Sequence, residues 1–478
     1  MAQGHMDRLS ALDVSFLTNE SSSAHMHVGA VMIFEGPPPA YEDMLGHIHS
    51  RLHLVPRFRQ KLAHPPIETG RPFWVDDPTF NLEYHVRHSA LPSPGSEEQL
   101  RNLAARVFSQ QLDRTKPLWE LWLVQGLTRK RFAIVSKTHH ALVDGVSGVD
   151  IATVLFDVKP VPEPIRADHD WIPSPSPSSA QLAAKGVEGL AKIPLALARR
   201  AERAAGRPRR AIARAGEMAG AVGEVAWNFA NPAPTIPLNV PIGSHRRFVW
   251  VRSDLAQFKR IKDALGGTVN DVVLAVVGGG VRDWLHTRGI RTEGLEVRAQ
   301  VPVSIRASDE SGQLGNKITA MRAALPVYIE DPVQRLETVR SQMQDLKSSN
   351  QALGAEVISR MNDFAPPTLL AQAARINFST RLFNMVVTNV PGPQMPIYLL
   401  GRELEDIFPV GFLPPDQALF VAIMSYNGAV NFGLLADYDS MDDVNLIAEG
   451  IERSLADLAG AADEASRPAK GKAAATKA

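Results

Sequence analysis

Residues 136–148 read Ser136-Lys137-Thr138-His139-His140-Ala141-Leu142-Val143-Asp144-Gly145-Val146-Ser147-Gly148. Before the two histidines stands Arg131-Phe132-Ala133-Ile134-Val135, whose apolar character predicts a strand, and behind them an apolar run over residues 149–158 predicts a helix. A strand end, a turn and a helix start form a rigid mount for a reactive side chain. Upstream, Pro117 and Leu118 lead into a second expected strand over residues 119–124, and Thr128-Arg129-Lys130 supplies the turn between the two. The pair is expected to form an antiparallel hairpin that delivers both histidines, with Trp119 packed behind it.

Neighbouring side chains of a strand point to opposite faces, so His139 and His140 cannot both face one reactant. One is expected to face a cavity and the other to pack inward. Gly145 lets the chain turn sharply, and Asp144 either orients a histidine or pins the turn by pairing with a distant arginine. Taken singly, a histidine beside an apolar strand is most often a satisfied core residue, and Asp-Gly is most often only a turn. Two histidines at the mouth of one apolar strand are another matter, because both are costly to bury without partners.

The 478 residues suffice for two or three domains, and a hydrophobic share of 45% supplies a core for most of the chain. Lys+Arg and Asp+Glu both number 51, so no global charge draws the chain to nucleic acid, which is not expected as a partner. The lack of cysteine excludes thiol nucleophiles, disulfides, zinc–thiolate sites and iron–sulfur ligation. No apolar run approaches the roughly 20 residues of a spanning helix, and no signal peptide is visible.

Outward from the histidines, strands and helices mix in both directions. Asn19-Glu20-Ser21-Ser22-Ser23 is a polar entry to a strand ending at Phe34, residues 41–54 have helical spacing, residues 73–75 and 82–86 read as short strands, and residues 97–112 as an amphipathic helix. Beyond Val158 the chain turns rich in Pro and Ser, then in Ala, Gly and Arg. Arg199, Arg200, Arg203, Arg207, Arg209, Arg210 and Arg214 lie among or beyond apolar residues there. They read as basic amphipathic helices interrupted at Pro208, either a solvated surface pair or a dock for an anionic membrane surface, with RNA binding a third option that lacks interleaved aromatics. The second half opens with a strand over 246–251 and a helix over 254–265, and Asn270 reads as the N-cap of an apolar helix over 272–285. Strands are expected over 297–305 and 317–325, and helices over 331–346 and 353–378. A strand from Met385 runs through Asn389 into the rigid turn Pro391-Gly392-Pro393, and residues 419–426 and 430–437 form a hairpin through Asn427-Gly428. The last expected helix spans 444–458. The expected organisation is a first domain over 7–158, a crossover over 159–245, a second domain over 246–462 and a disordered tail over 463–478.

His139 to Gly145 match the HHxxxDG signature of the coenzyme A-dependent acyltransferase superfamily, which includes chloramphenicol acetyltransferase and the condensation domains of peptide synthetases. More closely, the chain resembles the bacterial wax ester synthase/acyl-CoA:diacylglycerol acyltransferases. The supporting stretches are LSALDVSFL at 9–17, Met26-His27-Val28-Gly29, Pro117-Leu118-Trp119-Glu120, Asn270-Asp271, Val301-Pro302-Val303-Ser304-Ile305-Arg306 and Asn389-Val390-Pro391-Gly392-Pro393. The resemblance implies an α/β (α+β) fold of two chloramphenicol acetyltransferase-like domains, each a mixed sheet with helices, and a tunnel between them.

It further implies that His140 is the general base and Asp144 mainly structural; His139 is expected in support, and Asp144 is expected to pair with Arg306 across the domain interface. Asn270 or Ser304 is expected to donate to the oxyanion, and residues 389–393 to shape the tunnel wall. Acyl-CoA and diacylglycerol or a fatty alcohol are the implied partners, acyl-CoA being a substrate, with no cofactor and no metal. The expected location is cytoplasmic, peripheral to the inner membrane face or to lipid inclusions, and no oligomeric state is implied. Three other readings compete: a related transferase acting on a polyketide, a sugar or a carrier-bound acyl group; a lipid carrier without catalysis; and a metal hydrolase using His139, His140 and Asp144, which has no third ligand cluster in view.

Overall fold

The computed structural model describes residues 6–66, 71–143, 155–161, 165, 171–186, 231–304, 318–348 and 379–467. In the first half these form β1 (Asp7–Arg8), α1 (Ala11–Asn19), β2 (His27–Phe34), α2 (Tyr41–Arg51), β3 (Gln60–Ala63), β4 (Phe73–Asp76), α3 (Leu82–His85), β5 (Val86–Ala90), α4 (Glu97–Phe108), β6 (Trp119–Leu127), β7 (Arg131–His139) and α5 (His140–Val143). In the second half come β8 (Arg246–Asp254), α6 (Leu255–Leu265), α7 (Val269–Thr287), β9 (Val297–Ser304), β10 (Ile318–Leu325), α8 (Pro332–Ser348), β11 (Met385–Pro391), β12 (Tyr398–Leu399), β13 (Arg402–Val410), β14 (Leu419–Tyr426), β15 (Ala429–Asp437) and α9 (Val444–Ala465). The expected helix over 353–378, the arginine-rich stretch 199–214 and most of the tail lie outside the described residues.

The expected hairpin forms. Arg129 and Lys130 both adopt positive φ, 63° and 55°, which closes β6 onto β7 with the twist a tight hairpin needs. All nine residues of β7 are buried, because β2 and β6 flank it antiparallel and both its faces are covered. Asn427 and Gly428 repeat the device between β14 and β15, at φ 43° and 85°.

Two six-stranded mixed sheets result, in the orders β12-β13-β2-β7-β6-β5 and β10-β9-β11-β14-β15-β8. Strands β12 and β13 come from residues 398–410, inside the stretch expected as a second domain, yet they extend the first sheet by pairing with β2. Residues 411–418 then carry the chain into β14 of the other sheet. Alternation along β14 divides its side chains. Leu419, Val421 and Ile423 join the core under the helices of the second half, while Phe420 and Ala422 join the core shared with the first sheet.

Two local expectations change. Residues 82–86 read as a strand, but Asn81 caps a single helical turn there and the strand begins only at Val86. Asn270 is not the cap of its helix: Thr268 is, in a reciprocal capping box with Asp271, which leaves the Asn270 amide free of that duty. Among the described residues no single helix is long and apolar enough to cross a membrane.

Candidate active site

Strand β7 ends at His139, which pairs in register with His27 across β2. The backbone N–H of His139 donates to Leu118 O at 3.0 Å, and that of His140 to Met26 O at 2.8 Å. The two strand ends are thus stapled from both sides just where the chain turns into α5. Pro117 and Leu118 are buried under this turn, and Trp119 lies behind it, its indole N–H donating to Phe58 O at 2.7 Å.

The two histidines part company as alternation requires. His139 is fully buried and its Nδ1 accepts from the Ala141 N–H at 3.1 Å, so a neutral ring carries its proton on Nε2. Nε2 in turn points toward Glu20 Oε2 at 3.6 Å. His140 turns the other way and is only half-buried. Its ring stacks on Phe16 at 3.9 Å between centroids, and Phe412 meets it edge-on at 5.6 Å. Phe16 belongs to α1, whereas Phe412 comes from the segment that crosses between the sheets. His140 therefore sits at their seam.

Behind His139 lies a buried polar cluster that sequence reasoning passed over. The Glu20 side chain is 3% exposed; His27 Nε2 stands 3.2 Å from its Oε1, and Arg114 Nε donates to its Oε2 at 2.6 Å. Burial works to raise the Glu20 pKa, but the two imidazoles hold it well below the ordinary carboxylate range. Burial pushes His27 down to about 3 and also lowers His139, the nearby carboxylate only partly opposing. The available signal was register: histidines at 27 and 139 on strands expected to pair, with the one acid of a serine-rich loop beside them.

On the other sheet, Asn389 Nδ2 lies 3.4 Å from Asn270 Oδ1, so two residues singled out separately come together between β11 and the first turn of α7. Gly392 donates its N–H to Ser425 O at 2.9 Å, and a Cβ there would fall 2.3 Å from that oxygen, so only glycine permits this close crossing after the exposed Pro391. Ser304 ends β9, with its side chain outside what is described; Asp144, Gly145 and Arg306, and with them the expected interface ion pair, lie outside the described residues. No group of three or more His, Asp or Glu among the described residues is arranged to hold a metal ion.

A half-buried imidazole at the end of a strand, at the seam of two mixed sheets of which the first takes two strands from the second half of the chain, defines the class. The fold is that of condensation domains: the first condensation domain of the calcium-dependent antibiotic synthetase superposes with a TM-score of 0.56 at 16% identity, covering 97% of this chain and 98% of that one. Residues 9–273 match the wax ester synthase/diacylglycerol acyltransferase catalytic domain, and residues 314–459 match the C-terminal domain of the same family. The chain belongs to the wax ester synthase/diacylglycerol acyltransferase family. It is 34% identical over 459 residues to the probable diacylglycerol O-acyltransferase tgs1 of Mycobacterium tuberculosis, covering 95% of this chain and 96% of that one. The wax ester synthase/diacylglycerol acyltransferase of Marinobacter aquaeolei VT8 superposes with a TM-score of 0.67 at 26% identity, over 95% of this chain and all of that one.

Proposed function

We propose that this chain moves a long-chain acyl group from acyl-CoA to the hydroxyl of diacylglycerol or of a long-chain alcohol, with His140 as general base. The observation that carries the reading is the half-buried His140 ring, clamped by Phe16 and Phe412 at the seam of the sheets. An alcohol is a poor nucleophile near neutral pH, and a neutral imidazole accepts its proton as the new bond forms. The alcohol oxygen attacks the thioester carbonyl, the C–O bond forms, the tetrahedral oxyanion collapses and the C–S bond breaks. The proton held by His140 then passes to the departing sulfur, and CoA leaves as the thiol. No acyl-enzyme is needed in a chain without cysteine.

Asn389 donating to Asn270 Oδ1 leaves the Asn270 N–H pair available, which supports Asn270 over Ser304 as oxyanion donor. One such donor is worth roughly 3 kcal/mol in the transition state. Acyl-CoA enters as a substrate through a tunnel between the sheets, and no cofactor takes part. A CoA-release assay over a panel of diacylglycerols and alcohols tests the assignment. His140→Ala is expected to abolish release while leaving a cooperative melting transition; retained turnover would end it.

The protein works from the cytoplasmic side, attached peripherally to a membrane or lipid-inclusion surface through the arginine-rich stretch between residues 180 and 230, where basic and apolar positions alternate. Flotation with anionic liposomes, with and without that stretch, tests the attachment; equal binding by both forms would refute it.

A further inference from the structure

The buried carboxylate of Glu20 has no place in the chemistry just described. A carboxylate at 3% exposure is expensive to keep, and an apolar side chain of similar size would fill the site without that penalty. Its surroundings show what it does instead. Arg114 donates to Glu20 Oε2 at 2.6 Å and, through Nη2, to Leu17 O at 2.8 Å. That pair ties the C-terminal end of α1 to the loop that leads into Pro117-Leu118-Trp119. Leu17 is the neighbour of Phe16, on which the His140 ring is stacked. On its other side Glu20 faces the Nε2 of His139, whose Nδ1 holds the Ala141 N–H at 3.1 Å. Ala141 follows His140 directly, so the His139 ring braces the turn from which His140 projects. Two mechanical routes, one through Phe16 and one through His139, run from Glu20 to the same imidazole.

We propose that Glu20 is a positioning residue of the acyl transfer: anchored by Arg114, its carboxylate receives the Nε2–H of His139 and locks the turn and the aromatic wall that aim His140. The proposal rests on the general-base reading of His140. The 3.6 Å separation is longer than a hydrogen bond, as such contacts often are before substrate binds, and the proposal requires it to close when the site fills. Glu20 touches neither substrate nor reacting atom, so its loss disturbs aim rather than binding.

The test compares the full chain with Glu20→Gln, which keeps the shape and removes the charge. CoA release gives kcat and KM for acyl-CoA, and the imidazole nitrogen and proton resonances of histidine-labelled protein report the His139 ring. Glu20→Gln is expected to lose at least about 10-fold in kcat, with KM within about twofold and melting still cooperative. The parent is expected to show His139 as a neutral Nε2–H ring whose proton moves downfield when acyl-CoA binds, and the variant to lose that shift. A kcat within about twofold of the parent overturns the proposal. So does a loss of activity that arises through KM or through a lost melting transition while the His139 signals stay as in the parent. If the variant does not fold, the parent spectrum decides: a His139 ring protonated on Nδ1, or charged near neutral pH, overturns it. A parent that releases no CoA with any acceptor would instead overturn the acyl-transfer reading, and the histidine spectrum would still report on Glu20.

Discussion

Replacing Gly433 by alanine should drive the two sheets apart. Gly433 lies in the middle of β15, bonded on one side to β14 and on the other to β8, and it faces Pro409 of β13 in the other sheet. A Cβ at this position would fall 1.9 Å from Pro409 O and 3.2 Å from the Phe248 ring. Ordinary contact begins near 3.4 Å, so the strands must separate by about 1.5 Å. Neither can yield alone, since Pro409 is itself in register with Ala30 of β2, and Trp250 and Phe408 stack at 4.4 Å across the same seam. Overpacking a rigid core costs typically 1–3 kcal/mol, and a backbone-on-backbone clash belongs at about 3. For a chain of 478 residues that corresponds to a melting point lower by roughly 3 °C, measurable by thermal or urea unfolding. Gly46, within α2 and with nothing within 4 Å of its Cβ position, supplies the control. Gly46→Ala is expected to stabilise by about 0.5–1 kcal/mol through helix propensity alone. A Gly433→Ala protein that melts within a degree of the parent would refute the close seam, and with it the placement of His140 between the sheets.

Stability should fall in mild acid because of His27. The unfolded chain takes up a proton near the ordinary 6.5, whereas the folded ring resists it down to about 3, so the contribution is whole above pH 6.5 and is lost as pH drops. The gap between 6.5 and about 3 corresponds to on the order of 5 kcal/mol in full, and to about 2 between pH 7.5 and 5. Urea unfolding at those two pH values should show that loss reduced in His27→Gln; equal sensitivity in both proteins would refute the assignment. Trp119→Phe removes the donor to Phe58 O and some buried volume, and should cost about 2–3 kcal/mol in urea unfolding; a change below about 0.5 would show that this indole does not brace the hairpin.

Much of the site could be read in the chain because it is local. The hairpin that carries the histidines announces itself by an apolar run, a turn and a second run, and the inward and outward histidines follow from strand alternation. Helix α1 was less legible: Asp13, Ser15 and Asn19 are buried in it along with Phe16 and Leu17, which blurs the apolar stripe, though Ser10 and Asp13 did spell a capping box. Strand β13 gave no warning, because its sequence, Arg402-Glu403-Leu404-Glu405-Asp406-Ile407-Phe408-Pro409-Val410, carries charge and its partner β2 lies hundreds of residues away. Glu20 was hidden for the same reason. A glutamate followed by three serines looks solvated until folding brings Arg114, His27 and His139 around it.

The crossing of residues 411–418 explains why such distant stretches meet. A chain that kept each sheet to its own half would leave His140 at the exposed end of β7. Sending β12 and β13 back into the first sheet obliges the chain to return past the end of β7 on its way to β14, and Phe412 is the residue that meets the ring there. Gly411 precedes it without a Cβ, and a Cβ would fall 2.1 Å from the Phe420 ring, so Phe420 of the second sheet closes in beneath the crossing and packs on Phe412 at 5.5 Å. One face of the base is then set by α1 of the first half and its edge by a segment that belongs to both sheets. The alignment of His140 is thereby tied to the docking of the sheets rather than to the hairpin alone. Substitutions far along the seam, at Gly433 or Trp250, should therefore reach the turnover rate without touching the site.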